Sequence, residues 1–525
     1  MRRAMLLVPL LFTSRLVAAD LPVTETTVGR LALPVLPDSL VISPDSARIA
    51  FATNAGQVTL EDKGIFLKPP TGAAQEPNLP KNIRATVRLY IDDKSTAAYE
   101  VLTPVRFSPD SKRLAYAAQR DSKWQVIADN QIVVKDADAV PATPVLFSPD
   151  SKHLATIVQK GEKFLVTVDD KPWPPIDAFA LGIPSFSPDG EHLAMVARVK
   201  ATWVMFLDGK PLPVPPAPPP ATRPAAAPAT APARFEHFGE FKWRPDSSGI
   251  VFYGAFLNAK WQVYAQTVDG SFGYTSSGFD GIMKGSPALN EEPPRIAFGT
   301  TTRGKWAVFT NEPSTPPSTS PDTPFDALRA ESVGFLKTDA GPQLLTLAQR
   351  NRKWQMYVDR KPIGADTFDA IVDGSFHVSP DGKHYAFAGT RSGKAVIIRD
   401  GQPLATHDEA GALTFAFSSD SQHLAYAARN GALWFACIDG VAGGTGFKGL
   451  AAQPMAFSPT SGQIAFTGNA TDNTWRLVVG KDATYQTKAY DSFIKGAMPV
   501  WRDDHTLTTV AIQKRLALRL EAKVP

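Results

Sequence analysis

A module of about forty residues recurs along this chain and restricts its fold more than any other feature of the sequence. Ser-Pro-Asp triplets and close variants occur in two runs with spacings of 39 or 40 residues, centred on Pro109, Pro149, Pro188, Pro380, Ser419 and Pro459. Weaker copies fill the intervals: ISPD at 42–45, WRPD at 243–246, GSPAL at 285–289, VGFLKTDAG at 333–341 and VWRDD at 500–504. A fixed period of this size indicates a repeat architecture, here with eleven units.

Each unit reads as four short strands. The first ends at Ser-Pro-Asp, where proline presets the backbone dihedral of a tight turn. The second is an alternating run such as Leu114 to Ala117, and the third opens with an aromatic residue such as Trp124. The third often ends at an aspartate followed by glycine, as at Asp439-Gly440, which is typical of a hairpin leading to a fourth strand. The predicted fold class is therefore all-β.

Four-stranded units cannot cover both of their faces alone, but can do so against neighbours arranged radially, which predicts a β-propeller. The segments FSPDSKRLAYAAQ, FSPDGEHLAMVAR and HVSPDGKHYAFAGT resemble the blade signature of the TolB-like propeller family, whose members are related to WD-repeat proteins. The resemblance covers roughly residues 35–515 and implies the fold rather than an activity, because propellers host many functions. Nothing in the chain matches the α/β domain that precedes the TolB propeller.

Eleven units exceed the four to eight blades of an ordinary ring, so we favour two rings. The Pro/Ala-rich segment 211–234 reads as an extended linker, which divides the chain into a leader (1–19), repeats 1–4 (20–210), the linker, and repeats 5–11 (235–525). Segments 27–35 and 234–241 could each complete the last blade of one ring. A division into five and six blades, or one oversized ring, stays open.

The first twenty residues predict export. Arg2 and Arg3 precede an apolar run from Ala4 to Phe12, and Val17-Ala18-Ala19 suits a signal peptidase, so we expect cleavage after Ala19 and a periplasmic or extracellular protein. A membrane anchor is the alternative, although the run is about half of the ~20 residues that a spanning helix needs. No later window is continuously apolar at that length. We therefore predict no transmembrane segment in the mature chain.

Charge excludes one class of partner. Without the three leader arginines, the 55 basic residues become 52 against 51 acidic ones, so the mature chain is nearly neutral. Nucleic-acid binding usually depends on an excess of lysine and arginine, and it is not predicted here.

No constellation of residues predicts catalysis, a metal site or a cofactor. His153, His192, His384 and His423 share one repeat position with Arg48 and Arg113, which favours a structural role for all of them. The chain has no His-Glu-x-x-His, Cys-x-x-Cys or Gly-x-Ser-x-Gly pattern. A metal-assisted polysaccharide lyase or hydrolase that uses the propeller channel remains the alternative, because related blades occur in such lyases.

The turns between second and third strands are rich in cations and read QRDSKW, QKGEKF, RVKATW, TTRGKW, QRNRKW and GTRSGK. In a propeller these turns share one face with the links between blades. The candidate binding residues are Arg120, Lys123, Lys160, Lys163, Arg198, Lys200, Arg303, Lys305, Arg350, Arg352, Lys353, Arg391 and Lys394.

These cations permit two interpretations. They could bind a protein or an acidic envelope polymer, or they could pair with the link aspartates Asp177, Asp326, Asp369 and Asp491. The first interpretation predicts an exported, non-catalytic propeller scaffold with a basic face.

Overall fold

The computed structural model describes residues 18–31, 35–36, 39–54, 87–92, 94–179, 184–200, 202–212, 235, 237–255, 260–269, 273–276, 278–285, 288–290, 295–310, 324–364, 366–460, 462–494 and 498–525. Within these ranges the chain forms eleven β-sheets, and the helical structure is a single 3-10 turn at Ala330–Ser332. The sheets are the blades of an eleven-bladed propeller, one for each unit predicted from the sequence. The predicted leader lies outside the described residues except for Ala18 and Ala19.

The strands are numbered along the chain. Two precede the first blade: β1 (Ala19–Asp20) and β2 (Val23–Arg30). Blades 1 to 4 contain, in turn, β3 (Val41–Ile42), β4 (Ile49–Asn54), β5 (Val87–Ile91) and β6 (Lys94–Tyr99); β7 (Val101–Leu102), β8 (Arg106–Phe107), β9 (Leu114–Arg120), β10 (Lys123–Ala128) and β11 (Gln131–Ala137); β12 (Val145–Phe147), β13 (Leu154–Lys160), β14 (Lys163–Val168) and β15 (Lys171–Pro172); and β16 (Ala178–Phe179), β17 (Ser185–Phe186), β18 (Leu193–Val199), β19 (Thr202–Leu207) and β20 (Lys210–Pro211).

Blades 5 to 8 contain β21 (His237–Trp243), β22 (Gly249–Ala255), β23 (Trp261–Thr267) and β24 (Gly273–Thr275); β25 (Gly281–Ile282), β26 (Ala288–Asn290), β27 (Arg295–Thr302) and β28 (Lys305–Thr310); β29 (Ala327–Leu328), β30 (Gly334–Leu336), β31 (Gln343–Arg350), β32 (Lys353–Val358) and β33 (Lys361–Pro362); and β34 (Ala370–Ile371), β35 (His377–Val378), β36 (Tyr385–Arg391), β37 (Lys394–Arg399) and β38 (Gln402–His407).

Blades 9 to 11 contain β39 (Glu409–Ala410), β40 (Ala416–Phe417), β41 (Leu424–Asn430), β42 (Leu433–Ile438) and β43 (Val441–Ala442); β44 (Gly449–Leu450), β45 (Ala456–Phe457), β46 (Ile464–Asn469), β47 (Trp475–Val479) and β48 (Tyr485–Gln486); and β49 (Ser492–Phe493), β50 (Val500–Trp501), β51 (Thr506–Gln513) and β52 (Leu516–Lys523).

The blades repeat the strand order predicted for the unit. In blade 2, β7 and β8 together make the first strand, and both pair with β9, followed outward by β10 and β11. First strands of neighbouring blades contact one another, as β8 and β12 do. They therefore lie nearest the axis of the propeller, whereas the fourth strands lie at its periphery.

The Ser-Pro-Asp turn closes on itself and also ties adjacent blades together. The Ser108 hydroxyl donates a 2.6 Å hydrogen bond to Asp110, whose carboxylate also accepts from the Lys112 amide. The Asp110 amide donates to the Ser151 hydroxyl of the next blade at 2.9 Å. The equivalent bond joins blades 1 and 2, blades 4 and 5, and blades 8 and 9. This chemistry explains why serine and aspartate recur with the proline.

The apolar core lies between the blades. A phenylalanine in each of several links packs against a glycine on the next blade's second strand: an added Cβ at Gly389 or Gly468 would lie 2.4 Å or 2.6 Å from the ring of Phe368 or Phe447. Both rings are at most 2% exposed. A large side chain in the link and a missing one on the facing strand thus let neighbouring sheets approach closely.

The blades follow one another in a single succession that closes on itself, and the prediction of two rings is not confirmed. Blade 4 packs on blade 5, where the Trp243 indole donates to the Ser185 carbonyl at 3.0 Å. Blade 11 packs on blade 1, where Arg502 donates to the Asp45 carbonyl at 2.9 Å. The last blade is completed by β2, which runs antiparallel to β52, so N-terminal and C-terminal strands share one sheet.

The two segments proposed as ring-closing strands have different positions from those expected. Residues 27–30 belong to β2 and complete blade 11 rather than blade 4, and residues 237–241 belong to the first strand of blade 5. Blade 4 has its own fourth strand, β20, and Phe235 bridges back to Trp203 of the same blade. The Pro/Ala-rich segment therefore connects two points of one blade. Composition alone could not distinguish such an insertion from a linker between domains.

Candidate functional site

All thirteen candidate cations lie in or beside the turns that join second to third strands. These turns belong to blades 2, 3, 4, 6, 7 and 8, between β9 and β10, β13 and β14, β18 and β19, β27 and β28, β31 and β32, and β36 and β37. We call the end of the propeller that carries these turns and the links between blades the turn face. The structure brings the thirteen residues to this one face.

Five of the thirteen cations, all of them lysines, are neutralised by an aspartate in a link. Lys123 lies 2.5 Å from Asp138, and Lys305 lies 2.8 Å from Asp326. The other three pairs are Lys163 with Asp177, Lys353 with Asp369, and Lys394 with Asp408. The pairing interpretation is thus correct for these lysines. Asp138 and Asp408 were not anticipated as partners, although each follows its lysine by 14 or 15 residues.

The second carboxylate oxygen of each link aspartate holds the turn of the following blade. Asp138 accepts from the Gly161 amide at 2.7 Å, Asp280 from the Arg303 amide at 2.9 Å, and Asp326 from the Asn351 amide at 2.8 Å. Asp491 accepts from the Lys514 amide at 2.7 Å instead of pairing with a side chain among the described residues. Where the lysine is present, one link aspartate therefore ties a lysine side chain of one blade to the backbone of the turn in the next blade.

These contacts predict acid sensitivity. Hydrogen bonds from the lysine ammonium groups hold the pKa of Asp138, Asp177, Asp326, Asp369 and Asp408 below the ordinary 3.8, and a bond from the Ser108 hydroxyl does the same for Asp110. Because the folded-state pKa is depressed, the stabilisation is present above the unfolded pKa and is lost as the pH falls through the folded value. We expect the midpoint of urea unfolding to be level from about pH 7 to 5 and to fall steeply below about pH 4.

The matched control for this prediction replaces two link aspartates. An Asp369→Asn, Asp408→Asn variant should be less stable at pH 7, and its urea midpoint should fall less between pH 5 and pH 3 than that of the unmodified chain. Equal slopes for the two proteins would show that these carboxylates do not contribute to the acid sensitivity.

The remaining candidates divide into two groups. Arg391 pairs with Asp366, and the guanidinium groups of Arg120, Arg198 and Arg350 lie over the rings of Tyr99, Trp203 and Phe325. Four exposed cations have no side-chain hydrogen bond or ion pair within the described part of the chain: Lys160, Lys200, Arg303 and Arg352. These four are the members of the predicted set that are open to an anionic partner.

Of the turn-face cations outside the predicted set, Lys260 and Arg429 are paired with Asp280 and Glu409, whereas two others are open. Lys514 and Arg515 form the turn between β51 and β52, both are exposed, and neither side chain has an ion pair within the described ranges. The signal was present, since QKRL at 513–516 occupies the repeat position of QRDSKW. The Ser-Pro-Asp motif of this last unit is weak, which makes the equivalence of its turn to those of the other blades harder to recognise.

The backbone of these turns is unusual for charged residues. Lys200, Arg303, Arg352 and Lys514 have φ values of 59°, 50°, 62° and 47°. A side chain in this left-handed region costs roughly 1–2 kcal/mol, and asparagine and glycine tolerate it best. The left-handed backbone of these turns therefore does not account for the presence of lysine and arginine at these positions.

Each of the four repeated histidines contacts the aspartate that follows the third strand of its own blade. His153 Nδ1 lies 2.5 Å from Asp169, whose other oxygen accepts from the Leu154 amide at 2.9 Å. His192, His384 and His423 contact Asp208, Asp400 and Asp439 in the same way, and Arg48 and Arg113 replace histidine in blades 1 and 2. Each pair joins the start of a second strand to the end of the third.

Among the described residues, no group of three or more histidine, cysteine, aspartate or glutamate side chains is placed to hold a metal ion. In the same part of the chain, no helix has the length and apolar character needed to cross a bilayer.

Neither a family model nor a curated protein matches this chain. Similar solved structures include a eukaryotic initiation factor (14% identity, 73% of this chain and 96% of that chain, TM-score 0.37) and the Dos1 propeller (8% identity, 64% and 90%, TM-score 0.31). TolB from Acinetobacter baumannii is another, with 15% identity, coverage of 70% and 80%, and a TM-score of 0.24. All three TM-scores are below 0.5, so the propeller fold rests on the eleven sheets of this chain and not on these likenesses.

Proposed function

We propose that this chain is an exported, non-catalytic propeller scaffold that binds an anionic partner, either an acidic protein surface or an acidic envelope polymer, through unpaired cations of the turn face. The observation that carries the proposal is the contrast within that face. Five lysines are neutralised by link aspartates, whereas the side chains of Lys160, Lys200, Arg303, Arg352, Lys514 and Arg515 are exposed and form no hydrogen bond or ion pair within the described part of the chain.

Anchoring of the turns supports a binding role. The amides of Lys200, Arg303 and Lys514 are held by Asp177, Asp280 and Asp491, so the turn is fixed while the cationic side chain stays free. A fixed backbone reduces the entropy lost on binding. Left-handed backbone at a charged residue is a cost to stability that a binding function would explain.

A substitution to asparagine separates binding from folding. Lys200→Asn, Arg303→Asn, Arg352→Asn and Lys514→Asn together remove four charges and place a residue that suits the left-handed backbone. We expect equal or higher thermal stability, together with at least about tenfold weaker binding to immobilised poly-L-glutamate or polygalacturonate at low salt. Binding by the unmodified protein should weaken as salt rises. The two probes distinguish an acidic protein partner from an acidic polysaccharide.

The control removes the same number of charges from the opposite face. Lys171, Lys210, Lys361 and Lys383 are exposed beside the hairpins and Ser-Pro-Asp turns, and their replacement by glutamine should leave binding to both probes unchanged. The proposal fails if neither probe binds, if binding is independent of salt, or if the two variants lose affinity equally.

A further inference from the structure

A groove between blades 1 and 2 is a second candidate site. Arg120 is the one residue that it shares with the thirteen candidate cations of the turn face. It has a volume of about 760 Å³ and lies between β6, the outermost strand of blade 1, and the facing side of blade 2. Ligand pockets of proteins commonly have volumes in this range.

The groove coincides with a position at which blade 1 has a small side chain and three other blades have a large apolar one. The fourth residue after the hairpin aspartate normally packs on the hairpin of the following blade. An added Cβ would lie 3.0 Å from the Trp173 side chain at Gly209, 2.5 Å from the Ile363 side chain at Gly401, and 3.1 Å from the Leu404 side chain at Gly440. The gap between adjacent blades is thus closed by a large apolar side chain in these three cases.

Thr96 occupies the corresponding position in blade 1. It follows Asp92 by four residues, as Trp173 follows Asp169, and Asp92 and Asp169 accept the same backbone bond, from the amides of Ile49 and Leu154. The hairpin residue opposite Thr96 is Asn130, and both line the groove. A small polar side chain therefore leaves open a gap that tryptophan, isoleucine or leucine fills between other blades.

The lining of the groove combines apolar side chains with an excess of positive charge. Ile91, Tyr99 and Ile127 form apolar walls, and Ile132, also at the groove, is 48% exposed. Ile132 therefore extends the apolar wall to the exposed edge of the groove.

Three cations and one carboxylate line the groove: Arg48, Lys94, Arg120 and Asp92. Arg48 is paired with Asp92 at 3.3 Å, while Arg120 lies over Tyr99 and has no carboxylate partner among the described residues. The ammonium group of Lys94 has no ion pair or hydrogen bond in that part of the chain either. The groove thus carries two uncompensated positive charges above an apolar wall.

We propose that this groove binds a short peptide segment of a partner protein in which aspartate or glutamate alternates with aliphatic or aromatic residues. The carboxylates would meet Lys94 and Arg120, and the apolar side chains would cover Ile127 and Ile132. An acidic saccharide is disfavoured, since it offers no apolar side chain to cover the exposed isoleucine.

The test uses a library of N-acetylated pentapeptides with randomised positions. The library is applied to the full chain that carries the four asparagine substitutions of the turn face, so that retention there does not contribute. We expect enriched peptides to contain Asp or Glu together with Ile, Leu, Val or Phe. Retention should fall at least about tenfold in a further Thr96→Trp variant, because tryptophan fills the equivalent gap between blades 3 and 4.

A second variant keeps the groove open but changes its charge. Lys94→Glu with Arg120→Glu should abolish enrichment of acidic peptides and favour basic ones, with the circular dichroism spectrum and thermal midpoint confirming that both variants fold. Absence of enrichment, enrichment that survives Thr96→Trp in a folded protein, or stronger retention of tri-galacturonate than of any peptide would overturn the proposal.

Discussion

Deletion of residues 20–31 is expected to unfold the propeller. These residues include β2, which pairs along its length with β52, and they bury Leu21, Val28 and Leu31, each 5% to 9% exposed. Burial of three such side chains contributes roughly 5–9 kcal/mol, which is comparable to the whole free energy of unfolding of a typical protein. The deletion also leaves β52 as an unpaired edge that can join another chain. Circular dichroism and size-exclusion chromatography should show loss of native structure or aggregation.

A longer deletion at another position provides the control. Replacement of residues 213–234 by a Gly-Ser linker of about six residues should leave the thermal midpoint within a few degrees of the unmodified value. Its two flanking residues are both hydrogen-bonded within blade 4, Leu212 to Met205 and Phe235 to Trp203. A chain without residues 20–31 that kept the unmodified midpoint would contradict closure by β2.

Replacement of Phe447 by alanine is expected to destabilise the propeller far more than a substitution on its surface. The ring is 1% exposed, meets Phe466 edge-to-face at 5.6 Å, and faces Gly468 between blades 9 and 10. Removal of a buried phenylalanine ring costs about 3–5 kcal/mol, part of it from the cavity that remains. The shift of the urea midpoint measures the loss. Val441→Ala in the neighbouring blade, at a side chain 58% exposed, should change the midpoint little.

A double-mutant cycle tests whether Phe447 and Gly468 act as a pair. Gly468→Ala alone should destabilise the protein, because the added Cβ would lie 2.6 Å from the Phe447 ring. In the Phe447→Ala background the same methyl group enters the space that the ring has left, so its effect should shrink or change sign. Additive losses would show that the two positions do not contact each other in solution.

The fold was predictable to the level of the blade. Serine and aspartate recur with proline because their hydrogen bonds close one turn and reach the next blade. Aromatic residues recur near the start of the third strand, where each pairs with a residue of the following link, as Trp354 does with Phe368. Such local chemistry leaves a periodic trace. The number of rings produces no such periodic pattern in the sequence. Every blade requires a neighbour, but nothing within a blade specifies which blade that neighbour is. Packing of blade 4 on blade 5 and of blade 11 on blade 1 decides this question, and β2, which completes blade 11, pairs with a strand almost 500 residues away.

The position of the candidate cations was predictable from the sequence, but which of them are paired with aspartates was not. The turn sequences placed thirteen cations on one face, yet the neutralisation of Lys123 by Asp138 and of Lys394 by Asp408 depends on how the links run between blades. The groove beside Thr96 could not be predicted from the sequence either, because it also depends on contacts between blades. A threonine on an outer strand is ordinary, and its significance emerges only when Trp173, Ile363 and Leu404 are seen to fill the equivalent gaps.

Joining the first and last segments of the chain in blade 11 has a consequence for engineering. The Lys523 amide donates to the Pro22 carbonyl at 2.9 Å, so the two ends of the described chain are neighbours. A short peptide could therefore connect them, and new termini could be opened between Leu212 and Phe235, where the chain leaves and re-enters blade 4. Such a circular permutant would hold the same contacts while moving the point of closure to a different blade.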